Sequence, residues 1–176
     1  MIVKICCTIS LLLSSSLAFA CPTSQSLFEQ MQGIWIGQGT SFQMVTNESW
    51  PVSVETSSDV IGAELFVRNS YKEARPAGMI TYETHYIITP IDQSCRDSGK
   101  LKVAMRRNLE DPKSLWVYGD YDGTLLVLNQ NLGEDFVLLS HTFFSGARTT
   151  HRMLFVHSGS IVQRVELGFQ RVLPKN

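Results

Sequence analysis

Short apolar runs, each bounded by turn-forming residues, follow one another from Gly33 to the C-terminal end of the chain. Glycine, aspartate, asparagine, proline and serine separate the runs, and almost no helical period is found among them. Several runs alternate: Leu101, Val103 and Met105 alternate with the charged residues Lys102 and Arg106. Such alternation places one face of a strand in a core and the other in water. The pattern therefore predicts an all-β protein.

Ten strands are predicted, and turn residues lie at regular intervals between them. They cover 34–46, 50–57, 60–72, 79–90, 100–107, 114–120, 124–130, 135–144, 148–157 and 161–173. Many short, regularly spaced strands indicate a barrel or a sandwich. Asp122-Gly123 is a strong hairpin signal. The local connectivity of 114–173 favours a closed antiparallel up-and-down β-barrel of about ten strands over a Greek-key sandwich.

One short segment before the first strand has helical spacing. Leu27, Phe28 and Met31 form a single apolar stripe within Ser24 to Gln32. Thr23 or Ser24 can cap the start of this helix, and Gly33 can end it. We expect the helix to plug one end of the barrel.

Composition and charge narrow the class of protein. The chain has 176 residues, of which 44% are hydrophobic and 18% charged, with a net charge of −1. This hydrophobic content excludes general disorder. A net charge so close to zero argues against nucleic-acid binding, which needs a basic stripe on the surface.

The first twenty residues have the pattern of a secretory signal peptide. Lys4 supplies the positive start, Ile5 to Leu17 is a short apolar stretch, and Ala18-Phe19-Ala20 is a small-x-small cleavage site. We expect 1–20 to be removed and 21–176 to form a single domain, exported to the periplasm or secreted. No second apolar run is long enough for a membrane span.

Two cysteines remain after the leader, at positions 21 and 95. Two thiols in an exported protein usually pair, so a Cys21–Cys95 disulfide is predicted. The alternative is lipidation of Cys21, because the residues before it loosely resemble a bacterial lipobox. In that case the protein would be anchored in the cell envelope.

The sequence Gly33-Ile34-Trp35-Ile36-Gly37-Gln38-Gly39 has the form G-x-W-x-G-x-G at the start of the first strand. With the preceding helix it resembles the calycin superfamily of lipocalins and fatty-acid-binding-type barrels. Within that group it looks most like the nitrobindin-type ten-stranded barrels. The last strand, Gly168 to Leu173, is similar to the closing strand of these barrels. The resemblance implies a closed barrel with an internal ligand site.

Closure would bring Trp35 and Arg171 together. In a closed barrel the last strand pairs with the first, which removes the sheet edges. The guanidinium can then lie over the indole face. We interpret this barrel-closing pair as a determinant of the fold, and ligand contact by the two residues is the alternative.

Aromatic residues on the middle and late strands suit a cavity that is apolar in its body and polar at one end. The predicted ligand-binding residues are Trp35, Leu65, Tyr82, Tyr86, Met105, Phe155 and Phe169. The first hypothesis is therefore a lipocalin-like barrel that binds a small apolar or amphipathic molecule. No nucleophile elbow, phosphate loop or zinc-ligand spacing occurs, so no catalytic residue and no metal ligand set is nominated and an enzyme is disfavoured.

Haem is the second hypothesis, and it comes from the resemblance. In nitrobindin-type barrels a histidine late in the chain ligates haem iron. His157 and then His151 are the candidates here, although the last strand has no histidine and Gly159-Ser160 forms a turn where the ligand would be expected. A third hypothesis is a non-catalytic envelope scaffold that binds another protein.

Overall fold

The structure is a computed structural model that describes residues 21–92, 100–107 and 116–172. The predicted leader 1–20 and Cys95 lie outside the described residues. The helix α1 covers Ser24–Met31, and the strands are β1 Gly33–Gln43, β2 Glu48–Ile61, β3 Glu64–Arg75, β4 Gly78–Asp92, β5 Leu101–Arg107, β6 Trp116–Tyr121, β7 Leu125–Gly133, β8 Phe136–Ser145, β9 Arg148–His157 and β10 Ser160–Val172.

The ten strands form a closed barrel in which each strand pairs antiparallel with its neighbours in sequence. The barrel closes between β1 and β10, whose register runs from Ile34 opposite Val172 to Gln43 opposite Gln163. This confirms the predicted up-and-down topology. Closure pairs the edge strands with each other, so neither is left open to another chain.

The boundary between β2 and β3 differs from the prediction. A single strand was expected over 60–72, but β2 continues to Ile61 and β3 begins at Glu64. Gly62 has a φ of 63°, a left-handed conformation that glycine adopts without steric cost. The hairpin therefore lies inside the alternating apolar run that begins at Ile61 and continues to Val67.

Helix α1 is fixed at both ends by its own sequence. Thr23 is the N-cap, and its hydroxyl accepts a hydrogen bond of 3.0 Å from the Ser26 amide. At the other end the Gln32 amide donates to the Phe28 carbonyl. Gly33 then takes a φ of 107°, which turns the chain into β1.

The helix plugs one end of the barrel through hydrogen bonds to the wall. Arg171 Nη2 donates to the carbonyls of Glu29 at 2.6 Å and Gln30 at 2.9 Å. Trp35 Nε1 donates to the Met31 carbonyl at 3.0 Å. The last turn of a helix leaves its carbonyls without intrahelical donors. The barrel wall supplies those donors, so helix and barrel stabilise each other.

Two clusters of buried apolar side chains pack inside the barrel. The first lies against the plug and contains Leu27 and Phe28 of α1 together with Leu65, Leu101 and Val103. The second is built on β2, β3 and β10 and includes Trp50, Val52, Val54, Tyr71, Val165 and Leu167. In the described part of the chain no helix is long and apolar enough to cross a membrane.

Candidate functional site

A cavity of about 160 Å³ lies inside the barrel, between the plug and the second apolar cluster. Its wall is formed by α1 and by strands around the whole barrel. The lining residues are Gln30, Met31, Trp35, Thr56, Ser58, Val67, Asn69, Tyr71, Tyr86, Ile88, Met105, Leu126, Leu128, Gln130, Leu138, Ser140, Thr142, Phe144, Thr149, His151, Met153 and Phe169. None of these described side chains carries a full charge at neutral pH, which makes the cavity mainly apolar with isolated hydrogen-bonding groups.

On the β2–β4 wall the polar side chains satisfy one another. Thr56 Oγ1 donates to Asn69 Oδ1 at 2.7 Å, and Asn69 Nδ2 donates to Thr84 Oγ1 at 3.3 Å. Asn69 and Thr84 are both buried. Buried polar groups cost free energy unless they are hydrogen-bonded. Because these three side chains bond to one another, they need no hydrogen bond from a ligand.

On the opposite wall, β8 and β9 place Thr142 beside His151. Thr142 Oγ1 lies 2.7 Å from His151 Nδ1. Burial, with a smaller contribution from His141, lowers the pKa of His151 to about 4. The imidazole is therefore neutral at physiological pH and acts as a hydrogen-bonding group inside the cavity.

Two polar groups at the plugged end of the cavity have no partner among the described residues. They are Thr149 Oγ1 and Gln30 Oε1, and both atoms are buried. Gln30 Nε2 donates to the Gly123 carbonyl at 3.0 Å, which fixes the orientation of its amide. These unpaired groups distinguish the plugged end from the β2–β4 wall.

The opposite end of the barrel, which we call the mouth, contains a buried carboxylate that the sequence did not nominate. Glu73 is 4% exposed and accepts hydrogen bonds from Trp50 Nε1 at 3.0 Å, Arg75 Nε at 2.7 Å and Tyr82 Oη at 2.7 Å. Burial would raise the pKa of Glu73, but these three donors outweigh it and hold the pKa below its usual value. Glu73 is therefore ionised at neutral pH.

Stacking completes this group of side chains, the mouth cluster of Trp50, Tyr71, Glu73, Arg75 and Tyr82. The rings of Tyr71 and Tyr82 are parallel at 4.8 Å, and Arg75 Cζ lies 5.2 Å from the Trp50 ring centroid. Burial and the neighbouring carboxylate raise the pKa of Tyr82, so its hydroxyl stays a donor. The available signal was an acidic residue in phase with the inward-facing Val67 and Tyr71 of the same strand.

The predicted ligand-binding residues fall in three places. Trp35, Tyr86, Met105 and Phe169 line the cavity. Leu65 is fully buried in the first apolar cluster, Tyr82 belongs to the mouth cluster, and Phe155 packs against the second apolar cluster. Direct ligand contact by any of the seven remains a prediction.

Trp35 and Arg171 are register partners across the β1–β10 seam. Arg171 Cζ lies 4.6 Å from the centroid of the Trp35 ring. Trp35 is 4% exposed and also lines the cavity. The two interpretations of Trp35, fold determinant and cavity wall, are therefore compatible with one position.

The two candidate haem ligands occupy different surroundings. His157 is exposed at the end of β9 and stacks on Phe136 with ring centroids 4.1 Å apart. His151 lines the cavity, but a void of about 160 Å³ is close to the size that holds a single benzene ring. That volume encloses only a part of a macrocycle of four pyrrole rings. Within 21–92, 100–107 and 116–172 no group of three or more metal-ligating side chains is found.

Neither the protein-family models nor the curated proteins include a match to this chain. Among solved structures, the S-type phycobiliprotein lyase CPES from Guillardia theta is similar, with a TM-score of 0.61. The alignment covers 88% of this chain and 95% of the lyase at 13% sequence identity. The fold is calycin-like. At this identity the likeness extends to the fold alone, so the site must be interpreted from its own residues.

Proposed function

We propose that this protein binds a small apolar or amphipathic molecule inside its barrel. The observation that carries the proposal is the cavity inside the barrel, which is lined by aliphatic and aromatic side chains with a few polar groups. Ligand sites typically combine these features. The calycin-like fold supports ligand binding in general, and the residues of the cavity restrict the kind of ligand.

The volume limits the part of the ligand that is enclosed. An engineered apolar cavity of about 150 Å³ holds one benzene molecule. This cavity has about the same volume, so it accommodates a single ring or a short alkyl segment.

Haem is the alternative that the nitrobindin-type resemblance implies, and the residues present do not favour it. The cavity is too small to enclose the whole macrocycle, and the more accessible candidate, His157, is already stacked on Phe136. We expect hemin titration to leave the Soret band of free hemin unshifted. A shift that disappears in the double His151→Ala, His157→Ala variant would restore the haem hypothesis.

Catalysis is less well supported than binding. Thr142 and His151 form a hydroxyl–imidazole pair within hydrogen-bond distance, the geometry of a nucleophile and its base. With its pKa lowered to about 4, however, His151 is a weak base at neutral pH. Among the described residues no carboxylate is bonded to this ring to orient it.

We further propose that binding takes place outside the cytoplasm. The support is the leader pattern of 1–20, which ends in Ala18-Phe19-Ala20. The intact mass of the protein recovered from its natural host tests this. A mass that corresponds to residues 21–176 supports export, and a mass that includes 1–20 contradicts it.

The binding function is tested on protein purified without added ligand. Native mass spectrometry and solvent extraction should recover a small molecule, and a fluorescent fatty-acid probe should be displaced by that extract. Ser140 is buried and lines the cavity, whereas Ser145 at the end of the same strand is exposed. Ser140→Leu should therefore reduce probe binding several-fold, and Ser145→Leu should leave it unchanged. If no ligand is recovered and the two variants bind the probe equally, the proposal is wrong.

A further inference from the structure

The plugged end of the cavity carries hydrogen-bonding groups that differ in kind from the rest of its wall. We propose that Thr149, His151 and Gln30 form a subsite for an uncharged hydroxyl group on the ligand. This inference rests on the proposed binding function and narrows it to neutral alcohols and phenols.

Thr149 supplies the first group. It is the second residue of β9, on the same inward face as His151 and Met153, and it is 7% exposed. Its Oγ1 is buried without a hydrogen-bond partner among the described residues. A buried hydroxyl without a partner costs about 1–3 kcal/mol, and a ligand that pairs with it removes this cost. A ligand with a polar atom at this position should therefore bind more tightly than one without it.

His151 supplies the second group. Its Nδ1 is paired with Thr142 Oγ1, and in the described part of the chain its Nε2 has no hydrogen-bond partner. Either tautomer leaves one ring nitrogen to interact with a hydroxyl group, since a hydroxyl both donates and accepts. The rings of His151 and Phe169 are nearly perpendicular, with centroids 6.5 Å apart, so an apolar ring lies beside this polar group.

Gln30 supplies the third group, from the helix that plugs the barrel. Its Nε2 is held by the Gly123 carbonyl, so the atom left without a partner is the acceptor Oε1. An acceptor requires a donor on the ligand. A hydroxyl meets this requirement, whereas an ionised carboxylate has no proton to donate.

No charged side chain is among the described residues that line the cavity, which argues against a charged ligand group. Arg171 is held by the carbonyls of Glu29 and Gln30 and lies over Trp35. At the mouth, Glu73 is bonded to Arg75. An ion brought into the cavity would lose its hydration without gaining a counter-ion among the described lining residues, which is costly.

The test compares three probes of one-ring size: benzyl alcohol, toluene and benzoate. Their dissociation constants are measured by calorimetry at pH 7 for the wild type and for Thr149→Val, which keeps the volume and removes the hydroxyl. Thr150 lies next to Thr149 in the chain but is exposed on the outer face, so Thr150→Val is the matched control. Thr149→Val should weaken benzyl alcohol binding about tenfold and leave toluene within about twofold. The control should change neither.

The same variants separate this inference from the proposed function. Benzoate binding as tightly as benzyl alcohol, or equal effects of Thr149→Val on benzyl alcohol and toluene, would overturn the hydroxyl subsite while leaving a binding barrel. So would the failure of all three probes to bind when extraction recovers a ligand. The melting temperature of Thr149→Val should equal or exceed that of the wild type, because the lost hydroxyl has no partner. His151→Phe provides a second variant, with the same selective loss expected for benzyl alcohol.

Discussion

Glu73 shows how a single buried charge can be made favourable by its neighbours. The carboxylate is nearly inaccessible to water, yet the indole, guanidinium and phenol of three neighbours donate to it. Hydrogen bonds to a charged group are stronger than neutral ones and offset its desolvation. Because the three donors come from β2, β3 and β4, the charge also fixes the relative position of these strands at the mouth.

Removing this charge should destabilise the protein in a pH-dependent manner. We expect Glu73→Gln to lower the free energy of unfolding by about 1.5–3 kcal/mol at pH 7. Since the folded-state pKa of Glu73 lies below its unfolded value, its stabilisation is present at neutral pH and is lost as the pH falls through the folded pKa. The difference between wild type and variant should therefore shrink toward pH 3 in urea titrations. Glu83→Gln removes an exposed carboxylate paired with Arg68 and should change stability far less than Glu73→Gln does. Equal effects of the two substitutions would contradict this account.

At the scale of single residues, the sequence predicted some positions and missed others for an identifiable reason. Trp35 and Phe169 follow from inward alternation and a motif, and both line the cavity. Thr149 and Glu73 are polar residues on inward faces, and the alternation of apolar and polar positions does not predict what such residues do. Their importance depends on partners from other strands, or on the lack of them, and only the register of the barrel reveals this.

At the scale of elements, the seam between β1 and β10 joins the barrel to its plug. Trp35→Ala should lower the free energy of unfolding by about 3–5 kcal/mol, because it removes a buried indole and a bond to the helix. Arg171→Ala should lower it by about 2 kcal/mol through the loss of two carbonyl bonds and the cation–π contact. Arg164 on the same strand is exposed, and Arg164→Ala should change stability by less than about 0.5 kcal/mol. Denaturant unfolding measures all three, and an unchanged Trp35→Ala protein would argue against the seam as a determinant of the fold.

The same seam explains a glycine of the first-strand motif. A Cβ on Gly39 would lie 1.8 Å from the Glu166 carbonyl oxygen of β10, whereas a Cβ on Gly168 would meet nothing within 4 Å. Gly39→Ala should therefore lower the free energy of unfolding by at least about 2 kcal/mol, because the backbones must separate. Gly168→Ala should have little effect on the melting temperature. A Gly39→Ala protein as stable as Gly168→Ala would show that the strands do not approach so closely.

At the scale of the whole molecule, the topology was predictable because its signals are local. Antiparallel neighbours joined by short turns need no long-range information, and ten apolar runs, several of them alternating, were present to be counted. The exception between β2 and β3 arose where Gly62 makes a turn without interrupting the apolar alternation. The volume and polarity of the cavity depend on side chains from many strands at once, and these were not predictable from local patterns.

The predicted disulfide would act on the molecule as a whole. Cys21 directly precedes the plug, and Cys95 lies in the segment between β4 and β5. The adjoining ends of these strands are at the plugged end, since Ile88 of β4 and Leu101 of β5 belong to the cluster that contains Leu27. A bond between the two cysteines would therefore tie the plug to the wall.

We expect the intact mass of the unreduced mature protein to be lower by two hydrogens than that of the reduced protein. Reduction or Cys95→Ser should lower the free energy of unfolding by about 2–4 kcal/mol, because the unfolded chain regains the entropy of an open loop. The buried Leu27 would keep the helix packed in the barrel even without the disulfide. Loss of the disulfide should therefore lower the free energy of unfolding while ligand binding is largely retained. A diacyl or triacyl mass increment on Cys21, with no effect of reductant, would instead establish the lipid anchor and remove the disulfide.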